Sequence, residues 1–367
     1  MPRRVGTRKN NGGNSHTNHR PVSLKELAAH LDLSPTTLSL VLNDAPAASA
    51  IPQQTKDRIF EAARGFNYRP NFIARSLRAQ RSYTLGVLVP ELSDGYSAMV
   101  LSGVEDYLIQ EGYFYIVASH RHKPKLLDRY PDLLLERSIE GLIAVDTPQR
   151  RRPSLPVVSV SGHDDVEGVT NIALNHERAA LLALRHLLDL GHRRIAVIKG
   201  QHFSSDTEVR WNSIRDAAIE LGIRIDRALV AQLEGDSPSP EVGYIAAKKL
   251  LAAGKPFTAL FAFNDISAIG AIRAFREAGL RVPEDVSVIG FDDVHAAAFH
   301  NPALTTIRQP LWQMGKLAAE TLLQRIAAGP AAAYPRVLQV EPELVIRQST
   351  ASARTAAQSG KRVRLRA

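Results

Sequence analysis

The sequence predicts a small all-helical head followed by a larger α/β body with parallel sheets, and three observations carry that expectation. Residues 22–67 show three short helical patterns separated by tight breaks. From Tyr83 the texture changes. Apolar runs such as LGVLVP, YFYIVA, GLIAV, PVVSV, RIAVIKG, ALFAF and VSVIGF alternate with amphipathic stretches of about a dozen residues, the pattern of buried parallel strands joined by crossover helices. The charge is also divided. Residues 1–82 hold 13 Lys/Arg against 5 Asp/Glu and residues 351–367 hold 5 Lys/Arg and no acid, so a net charge of +9 leaves the stretch between them at −4. A basic head on an acidic body points to a polyanionic partner for the head alone.

With 367 residues, 44% hydrophobic and 23% charged, the chain has the make-up of a globular protein of two or three domains. The absence of cysteine excludes disulfides, thiolate catalysis and cysteine-ligated zinc, and suits a reducing cytoplasm. Residues 1–20 are polar and Gly-rich, lack the apolar core of a secretory signal, and are expected to form a disordered basic extension. No run of about 18 apolar residues occurs, so no membrane span is expected. Residues 351–367 have no apolar period and are expected to be a disordered basic tail. They carry no leucine heptad that would make a tetramer seam.

The head, residues 21–67, reads as a helix-turn-helix. In SLKELAAHLDLSPTTLSLVLN (23–43) Leu24, Leu27, Ala28 and Leu31 share one helical face. Ser23 and Glu26 have the spacing of a capping box. Asp32 falls in the turn, where it tolerates a left-handed backbone better than most side chains. Ser34 is a second N-cap, with Pro35 at the first helical position. Leu38, Val41 and Leu42 then face inward, leaving Pro35, Thr36, Thr37, Ser39 and Leu40 near the outer face. A third helix follows in IPQQTKDRIFEAARG, with Ile59, Ala62 and Ala63 inward and Gly65 at its end. Two short helices at this spacing suit a reader helix lying in a major groove.

VSLKELAAHLDLSPTTLSLVLND and TKDRIFEAARGFNYRPNFIARSLR resemble the headpiece of the LacI/GalR family of transcriptional regulators. The resemblance implies that Ser34, Pro35, Thr36, Thr37, Ser39 and Leu40 lie toward DNA. It also implies that residues 68–82 form a hinge in which Asn71 and Ala74 precede Leu77, the residue matching an apolar wedge that enters the minor groove and kinks the duplex. Two positions depart from the family. Leu40 stands where many relatives carry an arginine able to read guanine, and Asp32 replaces a common turn glycine.

The likeness continues through GVLVP (86–90), Gly141-Leu-Ile, LLDLGHRRIAVI (187–198), FNDISAIGAIRAFREAGLRVPEDVSVIGFDD (263–293), NPALTTIRQP (301–310) and ELVIRQST (343–350). It implies that residues 83–350 form a two-lobed domain similar to periplasmic binding proteins, with the chain passing three times between lobes and a small effector, a sugar or related metabolite, in the cleft. RRPSLP (151–156) reads as a linker. By position Arg210 and Asp292 match groups that hold ligand oxygens, Asn264 another polar cleft group, and Tyr96, Asp146 and His163 follow strand ends in the other lobe. Where relatives often carry Asn-Pro-Phe-Phe this chain has Asp94-Gly-Tyr-Ser97, which keeps one aromatic residue.

There is no Walker A sequence, GxSxG, HExxH or GxGxxG at a strand end. His120 and His122 are read as a solvated surface pair rather than metal ligands. The expectation is a cytoplasmic, nucleoid-associated homodimer that binds a pseudo-palindromic DNA operator under control of a small-molecule effector, with no cofactor, no metal and no catalysis.

Overall fold

The computed structural model describes residues 22–43, 45–68, 81–93, 95–149, 151–329 and 332–354. The chain divides into two compact units, residues 1–81 and 82–367.

In the first unit α1 (Leu24–Leu31) opens on the capping box: Ser23 Oγ accepts from Glu26 N–H and Glu26 accepts from Ser23 N–H. Asp32 closes the helix at φ 54°, ψ 45°, the left-handed turn its side chain tolerates. The second helix, α2 (Pro35–Leu42), is capped by Ser34, and α3 (Gln53–Gly65) follows a 3₁₀ turn over Pro46–Ala50. Leu27, Ala28, Leu31, Leu38, Val41, Ala48 and Ile59 close a small core, and the Arg58 guanidinium reaches back to the carbonyl of Leu31.

The second unit holds two six-stranded sheets. Lobe 1 runs β11-β5-β4-β3-β1-β2, where β1 is Thr84–Val89, β2 Phe114–Ser119, β3 Leu142–Val145, β4 Val157–Val160, β5 Val169–Leu174 and β11 Val337–Val340. All its pairings are parallel. Lobe 2 runs β12-β10-β9-β8-β6-β7, where β6 is Ile195–Lys199, β7 Val230–Gln232, β8 Ala259–Phe261, β9 Ser287–Asp292, β10 Thr305–Arg308 and β12 Glu343–Val345. Only β12 is antiparallel to its neighbour. The central strands are buried along their whole length, which is why they read as unbroken apolar runs.

Helices α4 (Gly95–Gln110), α5 (Pro124–Leu135) and α11 (Leu311–Ala328) cover lobe 1. Helices α6 (His176–Asp189), α7 (Asp206–Glu220), α8 (Pro240–Ala252) and α9 (Asp265–Glu277) cover lobe 2, and the short α10 (His295–Phe299) follows β9. Helices α4 and α11 touch backbone to backbone at Gly103 and Gly315. A Cβ on Gly103 would collide with the carbonyl of Trp312, and one on Gly315 with the carbonyl of Val100.

The chain passes between lobes at Asn175, at Gln309-Pro310 and at Glu341-Pro342. RRPSLP is not one of these passages. It lies within lobe 1 between β3 and β4, because both strands belong to the same sheet. The first residues of the expected tail are also ordered by lobe 2. Ala351 N–H donates to Ser287 Oγ and Ala353 N–H to the carbonyl of Leu190.

Candidate functional site

The carboxyl ends of both sheets face one cleft, and the chain's own polar groups hold it shut. Lobe 1 contributes Asp146 just beyond β3, Ser161 just beyond β4, and His163. Lobe 2 contributes the N-terminus of α7, with Ser205 preceding Asp206. Asp146 Oδ1 lies 3.2 Å from Ser205 N and 2.7 Å from Ser205 Oγ, and that Oγ lies 2.6 Å from the carbonyl of Ser161. A hydroxyl has one proton for these two oxygens. Both contacts are satisfied when Asp146 is protonated, donating to Ser205 Oγ while Ser205 donates to Ser161. Burial, reinforced by the charge of Asp206, raises the Asp146 carboxyl to about 7, against the bonds from Ser205.

Asp206 is the centre of the lobe 2 wall. Its Oδ1 accepts from His163 Nε2 at 2.6 Å and stands 3.4 Å from His176 Nε2, while its Oδ2 accepts from Arg210 Nη2 at 2.7 Å. Burial acts to raise this carboxyl, but His176, His163 and Arg210 outweigh it and hold Asp206 well below the usual carboxylate range. His163 is pulled down by burial and up by Asp206 and Asp146, with a net rise. His176 is lowered, chiefly by burial.

Arg210, one turn along α7, is only 4% exposed. Its guanidinium is sandwiched between the rings of Phe291 at 3.7 Å and Phe263 at 4.4 Å, and Nη1 donates to the carbonyl of Phe263. Asp292 ends β9 in a left-handed backbone and accepts from Gln309 Nε2 at 2.7 Å. Tyr96 is buried in α4, its hydroxyl 2.6 Å from Ser161 Oγ. Burial is the main reason its phenol is raised well above the usual range. Asn264 caps α9 through Ser267 N–H, while Asp265, buried at the first helical position, accepts from Thr306 Oγ1 and Val294 N–H.

Of the six residues expected in the cleft, Asp146 and Asn264 line a small cavity of about 80 Å³ together with Glu91, His122, Phe203 and Asp236. His163 and Arg210 meet on Asp206 behind it, whereas Tyr96 and Asp292 are each bonded to their own neighbours. Sequence reading passed over Asp206, His176, Ser205 and Gln309. The four-residue spacing of Asp206 and Arg210 on one helix was a legible signal for the first of them.

The expectation of a solvated His120/His122 pair is corrected. His120 is buried, its Nδ1 accepting from His122 N–H and its Nε2 paired with Thr147 Oγ1, and burial lowers its pKa to about 4. His122 stacks on Phe203 from the other lobe at 3.8 Å.

In the first unit Ser34, Pro35 and Thr36 are exposed, while Thr37 and Ser39 are half-buried. Thr37 is engaged by the cap, its N–H and hydroxyl both on Ser34 Oγ. Leu40 is half-buried against the head core, which leaves only part of the side chain for the outer face. Asn71, Ala74 and Leu77 lie outside the described residues.

Residues 184–350 match the periplasmic binding protein-like domain family. Over 341 residues the chain is 31% identical to the HTH-type transcriptional repressor PurR of Haemophilus influenzae, spanning 90% of this chain and 99% of the relative. It is 33% identical over 340 residues to the repressor of the same name from Aliivibrio fischeri, spanning 90% and 98%. Among solved structures, the lac repressor dimer bound to operator and the anti-inducer ONPF superposes with a TM-score of 0.79 at 26% identity, covering 90% of this chain and all of that one. A complex of the transcriptional regulator CelR with cellobiose gives 0.64 at 25% identity over the same shares.

Proposed function

The chain belongs to the LacI/GalR family of transcriptional regulators, and on that premise we propose that it is a homodimeric, operator-binding repressor whose grip on DNA is set by a small polar effector in the interlobe cleft. The observation that carries the reading is the cleft itself. Its two walls are joined by side chains rather than by continuous core, so a ligand competing for those side chains changes the angle between lobes.

Asp146 and Asn264 are the groups such a ligand meets first, with His163, Arg210, Tyr96 and Asp292 behind them. In the head, Ser34, Pro35, Thr36, Thr37, Ser39 and Leu40 face the operator, and Asn71, Ala74 and Leu77 belong to the hinge. Two heads on a two-fold axis read two half-sites, and the Lys/Arg residues of the head supply salt-sensitive phosphate affinity. The chain regulates and does not catalyse, and it acts where the DNA is. Effector and operator affinities change by the same factor, since the coupling is reciprocal.

The test is selection of genomic fragments by the purified full-length chain. Enrichment of one short imperfect palindrome, with binding altered by a small polyol or organic acid, supports the reading. Binding without sequence preference in the presence and absence of candidate effectors removes it.

A further inference from the structure

His163, His176 and Asp206 bring three metal-ligating atoms within 4.8 Å of one another at the junction of the lobes, the one such group among the described residues. A purely structural polar cluster satisfies its members, and this one does not. His176 is 95% buried; its Nδ1 has no hydrogen-bond partner, and its Nε2 has only the long 3.4 Å approach to Asp206 Oδ1. Buried polar atoms in folded proteins are ordinarily partnered, and one that is not calls for a reason such as an ion.

The donor set has a coherent geometry for an ion. Both imidazoles present Nε2 to the same carboxylate oxygen, Oδ1, at 2.6 and 3.4 Å. In a four-coordinate site with ligand bonds near 2.0–2.2 Å, neighbouring donors stand about 3.3 Å apart. The His176–Asp206 separation already has that value, and His163, the more exposed of the two histidines, needs to retreat by about 0.7 Å. The distal oxygen of Asp206 is held by Arg210 at 2.7 Å, an outer contact that fixes which oxygen faces the histidines.

We propose that His163, His176 and Asp206 form a binding site for a divalent first-row transition-metal ion that ties lobe 1 to lobe 2. Two imidazoles and one carboxylate suit zinc, cobalt or nickel rather than magnesium or calcium, which take oxygen ligands. His163 belongs to lobe 1, whereas Asp206 and His176 open the lobe 2 helices α7 and α6, so the ion fixes the interlobe angle directly. Any consequence of that fixed angle for DNA rests on the regulatory reading above, but the binding of the ion does not.

The experiment titrates Co²⁺ into the chelator-stripped full-length chain and follows the visible d–d absorption. Zn²⁺ is titrated in parallel against a chromogenic chelator. One tight equivalent with a low-symmetry, four- or five-coordinate Co²⁺ spectrum is expected. His163→Ala and His176→Ala are expected to weaken binding by more than about 100-fold, the loss of a direct ligand exceeding that of an outer contact. A joint His16→Ala/His19→Ala variant, which alters two histidines of the N-terminal stretch 1–20 that are not part of this cluster, is expected to keep it. Because His176 is buried, near-ultraviolet circular dichroism checks its fold, and His163→Cys, which restores a ligand at an accessible position, is expected to recover a spectrum with a thiolate charge-transfer band. Uptake unchanged in His163→Ala, or no uptake beyond that of the two histidine variants, overturns the proposal. Operator binding measured on the same samples separates the two readings: sequence-specific binding without metal uptake removes the ion and leaves the repressor, and the reverse removes the repressor and leaves the ion.

Discussion

Asp206→Asn removes one charge from a buried ion pair while keeping the shape of the side chain. The two side chains are 7% and 4% exposed, and the Arg210 guanidinium lies between two phenyl rings with its Nε already without a partner. Solvent does not screen such a pair, and leaving one buried charge uncompensated costs about 3–5 kcal/mol. For a unit the size of the body, each kcal/mol moves the melting temperature by about 2–4 °C, so the midpoint is expected to fall by roughly 6–20 °C. Urea unfolding followed by tryptophan fluorescence reads this well, since Trp211 sits next to Arg210 on α7. His163→Ala is the control. It removes a contact with the same carboxylate from a partly exposed side chain and is expected to cost about 1 kcal/mol. A loss below about 1 kcal/mol in Asp206→Asn would refute the reasoning, because it would mean that Arg210 finds water in its place.

Three further outcomes follow from the same geometry. Burial raises the Asp265 carboxyl to about 7 against an ordinary 3.8, so between those values the folded chain holds a proton that the unfolded chain has lost. Stability from this group therefore falls as pH rises from about 4 to about 7. The slope lost in Asp265→Asn is at most about 1.4 kcal/mol per pH unit, and wild type and variant that remain parallel in urea across this window contradict it. Gly103→Ala drives a methyl group into the Trp312 carbonyl and is expected to cost about 1–3 kcal/mol in the same assay, with no loss if α4 and α11 can separate freely. Leu77→Ala is expected to reduce operator affinity and DNA bending, read by circular-permutation gel shift, while leaving effector affinity unchanged. Undiminished bending removes its role as a wedge.

The helices of the head were legible because their signals are local. Ser23 with Glu26, Ser34 with Pro35, and Asp32 in the turn each act within four residues, and each is found in the role its spacing implied. The parallel sheets were legible because strands buried on both faces carry unbroken apolar runs. The position of the lobe boundary was not, because RRPSLP has the composition of a linker while the chain changes lobe at Asn175, inside an ordinary strand-to-helix turn. The cleft was half legible. Arg210 and Asp292 could be placed by resemblance, but their partners depend on chain segments far away: Gln309 is 17 residues from Asp292, Phe263 is 53 from Arg210, and His163 is 43 from Asp206. His120 failed for the same reason. Its neighbours in sequence are basic and polar, and its hydrogen-bond partner Thr147 lies 27 residues on.

The three passages between lobes explain how events in the cleft reach the rest of the body. Sheets packed on both faces resist deformation, so a change in the lobe angle would fall on the backbone of the short passages. Each of these is tied to a cleft residue or to another passage. His176 follows Asn175 directly, and Asn175 Nδ2 donates to Glu341 at 3.1 Å, joining the first passage to the third. Gln309, in the second, donates to Asp292 from a position that is only 1% exposed. A ligand that takes over Asp292 must therefore release Gln309, and one that moves His176 acts on the backbone at Asn175. Two of the cleft's polar groups, Asp292 and His176, are thus coupled to passages, so a ligand that binds them differently at two lobe angles would meet the condition for shifting the populations of those angles.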